Sequence, residues 1–386
     1  MAELSEPVAI LGSDGYTGWS LATFLLEQGH DVVGVDDFTR RTEAAPSVTP
    51  IAEHAERAET ANARFDGHYE FTEIDIAEYD ALEAFIEDAD PASIVNLAQI
   101  PAAPYSMIDV DHAWGTQQNN IEGALNLMWA LRNLDRRDTH VVQLATMGEY
   151  GTPETPIPEG FLDDGRPAPK SPGSLYHSSK VNTTVNTRFC SETWDIPVTE
   201  IYQGIVYGLP ETADETLLTR FDVDAVWGTV LNRFTAQAAI GEPLTVYGQG
   251  GQKRAMLSID DCIRCLTLAL ENPPGPGVAG RHPYRAINQF DESYRVKDLA
   301  DMVADHTGAE IAHLENPREE DDSEHFYDPD REVLDQLGYE PSATVEEVFK
   351  RTYEVVNRYT DRIPVDELRP DVYWDEREPV AAVGED

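Results

Sequence analysis

The sequence predicts an α/β protein, a doubly wound parallel sheet carrying a smaller, discontinuous C-terminal substrate lobe. Three observations point there. Short apolar runs alternate with stretches of helical periodicity, a glycine-rich turn separates the first run from the first helix, and candidate reactive residues recur where the apolar runs end. Strands joined by helices run parallel, because a crossover helix returns the chain in the same direction. Ligand chemistry on such a sheet collects at the carboxyl ends of the strands.

Taken in order, Val8-Ala9-Ile10-Leu11 is the first strand. Gly12, Gly15 and Gly18 follow in G-S-D-G-Y-T-G, and Trp19, Leu21, Ala22, Leu25 and Leu26 then recur at helical spacing. Strand, tight turn and helix N-terminus form a phosphate cradle, since backbone N–H groups and the helix dipole both favour an anion. Gly12, Asp14, Gly15, Tyr16 and Gly18 are the candidate cofactor contacts there. The second strand, Asp31–Val35, ends at Asp36. A carboxylate at that point accepts from ribose hydroxyls and repels a 2′-phosphate, which favours NAD over NADP. Arg40 and Arg41 follow closely and could accommodate such a phosphate, so Arg40 is a candidate contact with either cofactor.

Further strands are expected at 69–74, 93–97, 139–145, 197–203 and near Ala286-Ile287-Asn288. Their ends add Asp75, Ile76, Leu97, Thr146 and Gln203 as candidates. The Rossmann-type domain is expected to span 1–204 plus about 284–293, with the substrate lobe at 205–283 and 294–362. The proline-rich stretch 151–174 reads as a loop beside the site. The acidic, proline-punctuated tail, 363–386, is expected to pack loosely or be disordered.

Tyr176 and Lys180 stand four residues apart, one turn along one helical face. An ammonium there can lower the phenol's pKa towards working pH, making a base for a hydroxyl proton. Lysine is scarce, with only Lys170, Lys180, Lys253, Lys297 and Lys350 present. The plain alternative is a surface pair.

Seventy-two acidic against 28 basic residues give a net charge of −44. This excludes nucleic acid and anionic membranes as partners, and it is spread too evenly for an acidic tail. It predicts adaptation to a high-salt cytoplasm, where repulsion is screened within a few ångströms. Cys190, Cys262 and Cys265 are too few for a disulfide framework. Cys262 and Cys265 lie on the apolar face of one helical pattern and read as buried hydrophobes, with no metal site expected. Nothing reads as a signal peptide or membrane span, so a cytoplasmic protein is expected.

Several segments resemble a known family: A-P-Y-S-M-I-D (103–109), T-M-G-E-Y-G-T-P (146–153), Y-H-S-S-K (176–180), Q-G-I-V-Y-G (203–208), D-A-V-W-G-T-V-L-N-R-F (224–234), P-L-T-V-Y-G-Q-G-G-Q (243–252) and N-P-R (316–318). With the G-x-x-G-x-x-G spacing, they resemble the extended short-chain dehydrogenases/reductases acting on nucleotide sugars, and among them the UDP-sulfoquinovose synthases. The resemblance implies NAD, a UDP-sugar (UDP-glucose) with sulfite, and a homodimer. It implies that Tyr176, with Lys180 and Thr146, takes the glucose 4-hydroxyl proton during C4 oxidation. Water elimination across C5 and C6, sulfite addition and C4 re-reduction follow. Glu149 and His177 are the implied acid/base candidates, the plain alternatives being a surface acid for Glu149 and a packed neighbour of Tyr176 for His177. Met147 is implied to shape the pocket and Asn120 to serve structure and proton relay. Asn232, Arg254 and Arg318 are implied to hold the uridine diphosphate. Trp19 and Trp227 read as core. One departure stands out: the family carries Gln-Arg-Ser where this chain has Ile100-Pro101-Ala102, removing a cation suited to sulfite. A 4-epimerase or 4,6-dehydratase therefore stays open, as does a non-catalytic NAD-binding sensor.

Overall fold

In the computed structural model, which describes residues 4–151, 156–159, 170–211, 214–275, 283–318 and 327–374, the first strand shows how the sheet is covered. β1 (Val8–Leu11) is buried throughout. Val8 and Ile10 enter one hydrophobic core, Ala9 and Leu11 another, because side chains alternate across a strand. Val95 and Ile94, then Val142 and Val141, divide the same way. An apolar run without polar alternation is thus what a strand covered on both faces requires.

From β1 the chain passes through α1 (Tyr16–Glu27) to β2 (Val32–Asp36), then through α2 (Thr39–Glu43) and α3 (His54–Arg64) to β3 (Tyr69–Glu73). Helix α4 (Tyr79–Ala89) leads to β4 (Ser93–Asn96), α5 (Val110–Asn133) to β5 (His140–Thr146), and α6 (Leu175–Trp194) to β6 (Val198–Gln203). Next come β7 (Ile205–Tyr207), α7 (Val230–Ile240), β8 (Leu244–Tyr247), β9 (Lys253–Ser258), α8 (Ile259–Glu271) and β10 (Tyr284–Gln289). The order then runs β11 (Glu292–Arg295), α9 (Val296–Thr307), β12 (Ile311–Leu314), α10 (Glu332–Gln336) and α11 (Val345–Val356).

The seven strands expected for the main sheet all form, in the order β3-β2-β1-β4-β5-β6-β10 with every pairing parallel. Strand order reverses between β1 and β4, so a crevice opens at their carboxyl ends. Helix α1 covers one face with Trp19, Leu21 and Leu25. Leu82, Leu127, Leu131 and Cys190 of α4, α5 and α6 cover the other.

A second unit combines the sheet β11-β9-β7, the pair β12-β8 and helices α7, α9 and α11. Helix α8 falls within the span that the sequence assigns to this lobe, yet it packs against the main sheet beside α1. Its apolar face (Ile259, Cys262, Cys265 and Leu266) finds the larger core there. Both cysteines are buried, as expected of small hydrophobes. The tail also departs from expectation over 363–374. Ile363 and Leu368 are buried with Val48, Phe221 and Val356, and Ala225 N–H donates to the Glu367 carbonyl at 2.8 Å. Two apolar side chains outweigh the acidic surroundings because each finds a groove. Residues 375–386 lie outside the described residues, as does most of the proline-rich stretch.

Candidate active site

The glycine turn opens on a cavity of about 440 Å³ at the strand-order reversal. Gly12, at φ +84°, passes so close to the chain after β4 that a Cβ would sit 2.7 Å from Ala98 N. A Cβ on Gly18 would sit 2.0 Å from the Gly12 carbonyl oxygen. The first turn of α1 therefore lies directly against the turn, with no acidic residue in it and no side-chain cap on its amides. Gly12, Gly15, Tyr16 and Gly18 line the cavity, together with Leu97, Gln203 and Arg40. Asp36 accepts from the backbone amides of Asp14 (2.9 Å) and Phe38 (2.8 Å). Burial pushes its pKa up to about 6, against those two hydrogen bonds. Each carboxylate oxygen keeps a second acceptor site, although Asp36 lies behind the turn and is not among the residues that line the cavity.

Neither nearby arginine is idle. Arg40 pairs with Asp222 at 2.6 Å and lies 3.6 Å from the Trp227 ring centroid. Arg41 grips Asp14 with two hydrogen bonds, at 2.7 and 2.8 Å. Asp14 also meets His54 and Arg57. Burial works the other way, yet the hydrogen bonds from Arg41 and His54 and the Arg57 charge hold its carboxyl well below the ordinary range. The Asp14 side chain thus braces the turn from behind. Asp75 and Ile76 do not line the cavity. Asp75 accepts from Ala77 N–H, and Ile76 packs against Gly123.

The candidate reacting side chains gather at the ends of β5 and α6. Thr146 ends β5, and its hydroxyl accepts from Gly148 N–H at 3.2 Å and stands beside the Tyr176 phenol. Ser174 caps α6 by accepting from His177 N–H, and its hydroxyl also meets His177 Nδ1 at 3.1 Å. Tyr176 N–H donates to Ser106 Oγ. Asn120, buried, receives Ile100 N–H at 2.8 Å and donates to Ser179 Oγ at 2.9 Å, tying α5 to α6 and to the Pro101 segment. Thr146, Met147, Tyr176, His177 and Lys180 all line the cavity.

The electrostatics differ from what the four-residue spacing predicts. Lys180 donates to Gln99 Oε1 and to the Leu144 carbonyl (3.0 Å), and its ammonium lies 5.8 Å from the Tyr176 ring centroid. Burial lowers Lys180 to about 7 and raises Tyr176 well above the usual phenol value, with the Thr146 hydrogen bond opposing that rise. Within the protein alone, desolvation outweighs the helical neighbour.

Glu149 is neither a surface acid nor a cavity wall. It is fully buried, 3.1 Å from Lys170 Nζ, and accepts from Thr184 Oγ1. Its carbonyl accepts Ser171 N–H at 2.9 Å, so it staples the two ends of the proline-rich stretch. Burial pushes Glu149 up and Lys170 down, and their mutual attraction opposes both shifts. Removing the cation in Lys170→Met should strand the carboxylate and cost about 3–5 kcal/mol in urea titrations near neutral pH. The stranded acid's folded pKa then lies above its unfolded value, so the loss should shrink as pH falls towards about 5. An equal loss at both pH values would refute the ion pair.

Asn232, Arg254 and Arg318 line the far side of the cavity. Asn232 Oδ1 accepts from Gly208 N–H at 2.9 Å, and Arg318 lies 5.4 Å from the Trp374 ring centroid. Sequence reasoning missed Gln99, Arg233, Tyr247 and Trp374, which line the same cavity, and it placed Trp227 in the core although that ring is also a wall. Arg233 follows Asn232 and lies 4.5 Å from the Tyr247 ring centroid. Its position next to Asn232 was the available signal. Among the described residues, no group of three or more His, Cys, Asp or Glu side chains could hold a metal ion.

With this geometry in hand, known proteins can be compared. The chain is 38% identical to chloroplastic UDP-sulfoquinovose synthase of Spinacia oleracea, over 95% of this chain and 79% of that one. It is 39% identical to UDP-sulfoquinovose synthase of Sulfolobus acidocaldarius, over 92% of this chain and 94% of that one. A probable UDP-glucuronate 4-epimerase of Rhizobium meliloti is 24% identical over 89% of this chain and 95% of its own. In three dimensions, UDP-glucose 4-epimerase of Thermotoga maritima superposes with a TM-score of 0.70 at 20% identity, covering 91% of this chain and 98% of that one. That likeness bears on the fold alone. The sequence pattern of the NAD dependent epimerase/dehydratase family matches residues 8–280, and the chain belongs to that family.

Proposed function

We propose that the protein is an NAD-retaining nucleotide-sugar enzyme that converts UDP-glucose and sulfite to UDP-sulfoquinovose. The observation that carries this is the identity of 38–39% to two UDP-sulfoquinovose synthases along nearly the whole chain, against 24% for the epimerase relative. Both Asp36 and the commitment of Arg40 and Arg41 to other acids favour NAD over NADP.

Bound NAD supplies a reversible hydride acceptor for C4. Tyr176, oriented by Thr146, takes the 4-hydroxyl proton and later returns it. The C4 ketone acidifies C5–H. The C5–H and C6–O bonds then break, water leaves, and a C5–C6 double bond forms. Hydroxide is a poor leaving group unless protonated, and His177, held by Ser174 at the cavity wall, is placed to move that proton. Hydrogen sulfite adds across the double bond, sulfur to C6 and proton to C5, so the sequence is redox-neutral once C4 is reduced again. Glu149 holds Lys170 and Thr184 behind the wall and does not meet the sugar, and Met147 shapes the C6 side. Asn232, Arg254, Arg318 and Arg233 face the diphosphate, since guanidinium forks suit phosphate oxygens.

A 4-epimerase or 4,6-dehydratase is the second reading, favoured by the apolar wall at Pro101 and Ala102. A non-catalytic sensor would have no use for the clustered Thr146, Tyr176 and Lys180. The reading extends to a homodimer in a high-salt cytoplasm. Trp114 on α5 and Val185 and Phe189 on α6 are exposed apolar side chains on two helices that pack together. The charge of −44 demands screening. Among the described residues no helix is long and apolar enough to cross a membrane.

The test is mass spectrometry of UDP-glucose incubated with the protein in concentrated potassium chloride, with and without sulfite. A sulfite-dependent sulfonate mass is expected. Loss of water alone, or an unchanged mass, would replace this reading with the dehydratase or epimerase.

A further inference from the structure

The C-terminal segment crosses the mouth of the cavity. Ile363 and Leu368 anchor it in the lobe, and the Glu367 carbonyl accepts from Ala225, a cavity-lining residue. It then reaches Trp374, which lines the cavity itself. Trp374 Nε1–H donates to the Gly173 carbonyl at 2.8 Å. Gly173 directly precedes the Ser174 cap of α6, and a Cβ on it would lie 3.9 Å from His177 Nδ1. On the other side, Trp374 N–H donates to the Pro317 carbonyl at 3.1 Å, and the Arg318 guanidinium lies against the indole.

We infer that Trp374 roofs the sugar subsite and determines which nucleophile reaches C6. This rests on the nucleotide-sugar reading above. The indole N–H is fixed to the segment carrying Tyr176 and His177, and the Trp374 backbone to the segment carrying Arg318. A sugar bridging the reacting side chains and the phosphate-binding arginines passes beneath it. The need for a roof follows from the chemistry. The unsaturated ketone is electrophilic at C6, and water adding there simply reverses the elimination. Bulk water vastly outnumbers dissolved sulfite, so sulfonate forms only where water is excluded. An indole supplies a broad apolar face with one donor, and here that donor is spent on Gly173.

The full chain would be incubated with UDP-glucose and sulfite in heavy-oxygen water. The ratio of heavy oxygen in recovered UDP-glucose to sulfonate in product is then read by mass spectrometry. Trp374→Ala is expected to raise that ratio about tenfold or more, while Trp374→Phe, which keeps the apolar face, stays near wild type. An unchanged ratio in Trp374→Ala overturns the roof. Stopped-flow dissociation of UDP-glucose gives a readout independent of turnover, expected to quicken about fivefold or more in Trp374→Ala. Should the unaltered protein form no sulfonate and incorporate no label, the sulfosugar reading fails. The roof then stands or falls on the dissociation rate, and an unchanged rate overturns it.

Discussion

Tyr176→Phe is expected to cut the UDP-glucose-dependent reduction of bound NAD by about 10²–10⁴-fold, the range that a positioned general base contributes. The substitution removes one hydroxyl beside Thr146 and leaves the ring against His177 at a centroid distance of 5.0 Å. Binding of UDP-glucose should therefore change little while the absorbance of reduced nicotinamide fails to appear. Normal reduction in this variant would remove Tyr176 from the chemistry, whereas no reduction in the unaltered protein would return the sensor reading to contention.

Gly18→Ala is expected to abolish retention of NAD. The new methyl would meet Gly12 backbone, 2.0 Å from the carbonyl oxygen and 2.9 Å from the carbonyl carbon, so no flexible side chain can yield. Helix α1 must back away from the turn, spoiling the phosphate cradle and straining the packing of Trp19 and Leu21. A stability loss of about 1–3 kcal/mol is expected from overpacking, with NAD bound at least about 100-fold more weakly. Gly115→Ala is the control, because its Cβ would meet nothing within 4 Å and it does not line the cavity. Calorimetric titration with NAD separates the two. Equal affinity for Gly18→Ala and the unaltered protein would show that the turn does not cradle the cofactor.

The same structure marks where sequence reasoning stops. Glu149 is one acid among 72, and nothing in T-M-G-E-Y-G-T-P says whether it faces sugar, solvent or Lys170. Arg40 and Arg41 read as free cations beside Asp36, yet their partners are Asp222 and Asp14, respectively. Trp374 sits in an acidic, proline-punctuated stretch, and its bonds to Gly173, 201 residues away in sequence, and to Pro317 bring it to the cavity.

What the sequence by itself determined was the strand–turn–helix at Gly12–Gly18, the parallel sheet, and the placing of Thr146 at a strand end and of Tyr176 and Lys180 on one helical face. These follow from local periodicity and from sterics, which act between residues a few positions apart. Only the tertiary structure decided that Lys180 turns to Gln99 and Leu144, that Glu149 is a buried staple, and that Arg233, Trp227 and Trp374 wall the cavity. The reason is physical: a charge or a ring takes its role from what desolvates and pairs it, and those partners come from segments that are distant in sequence and meet only when the chain folds.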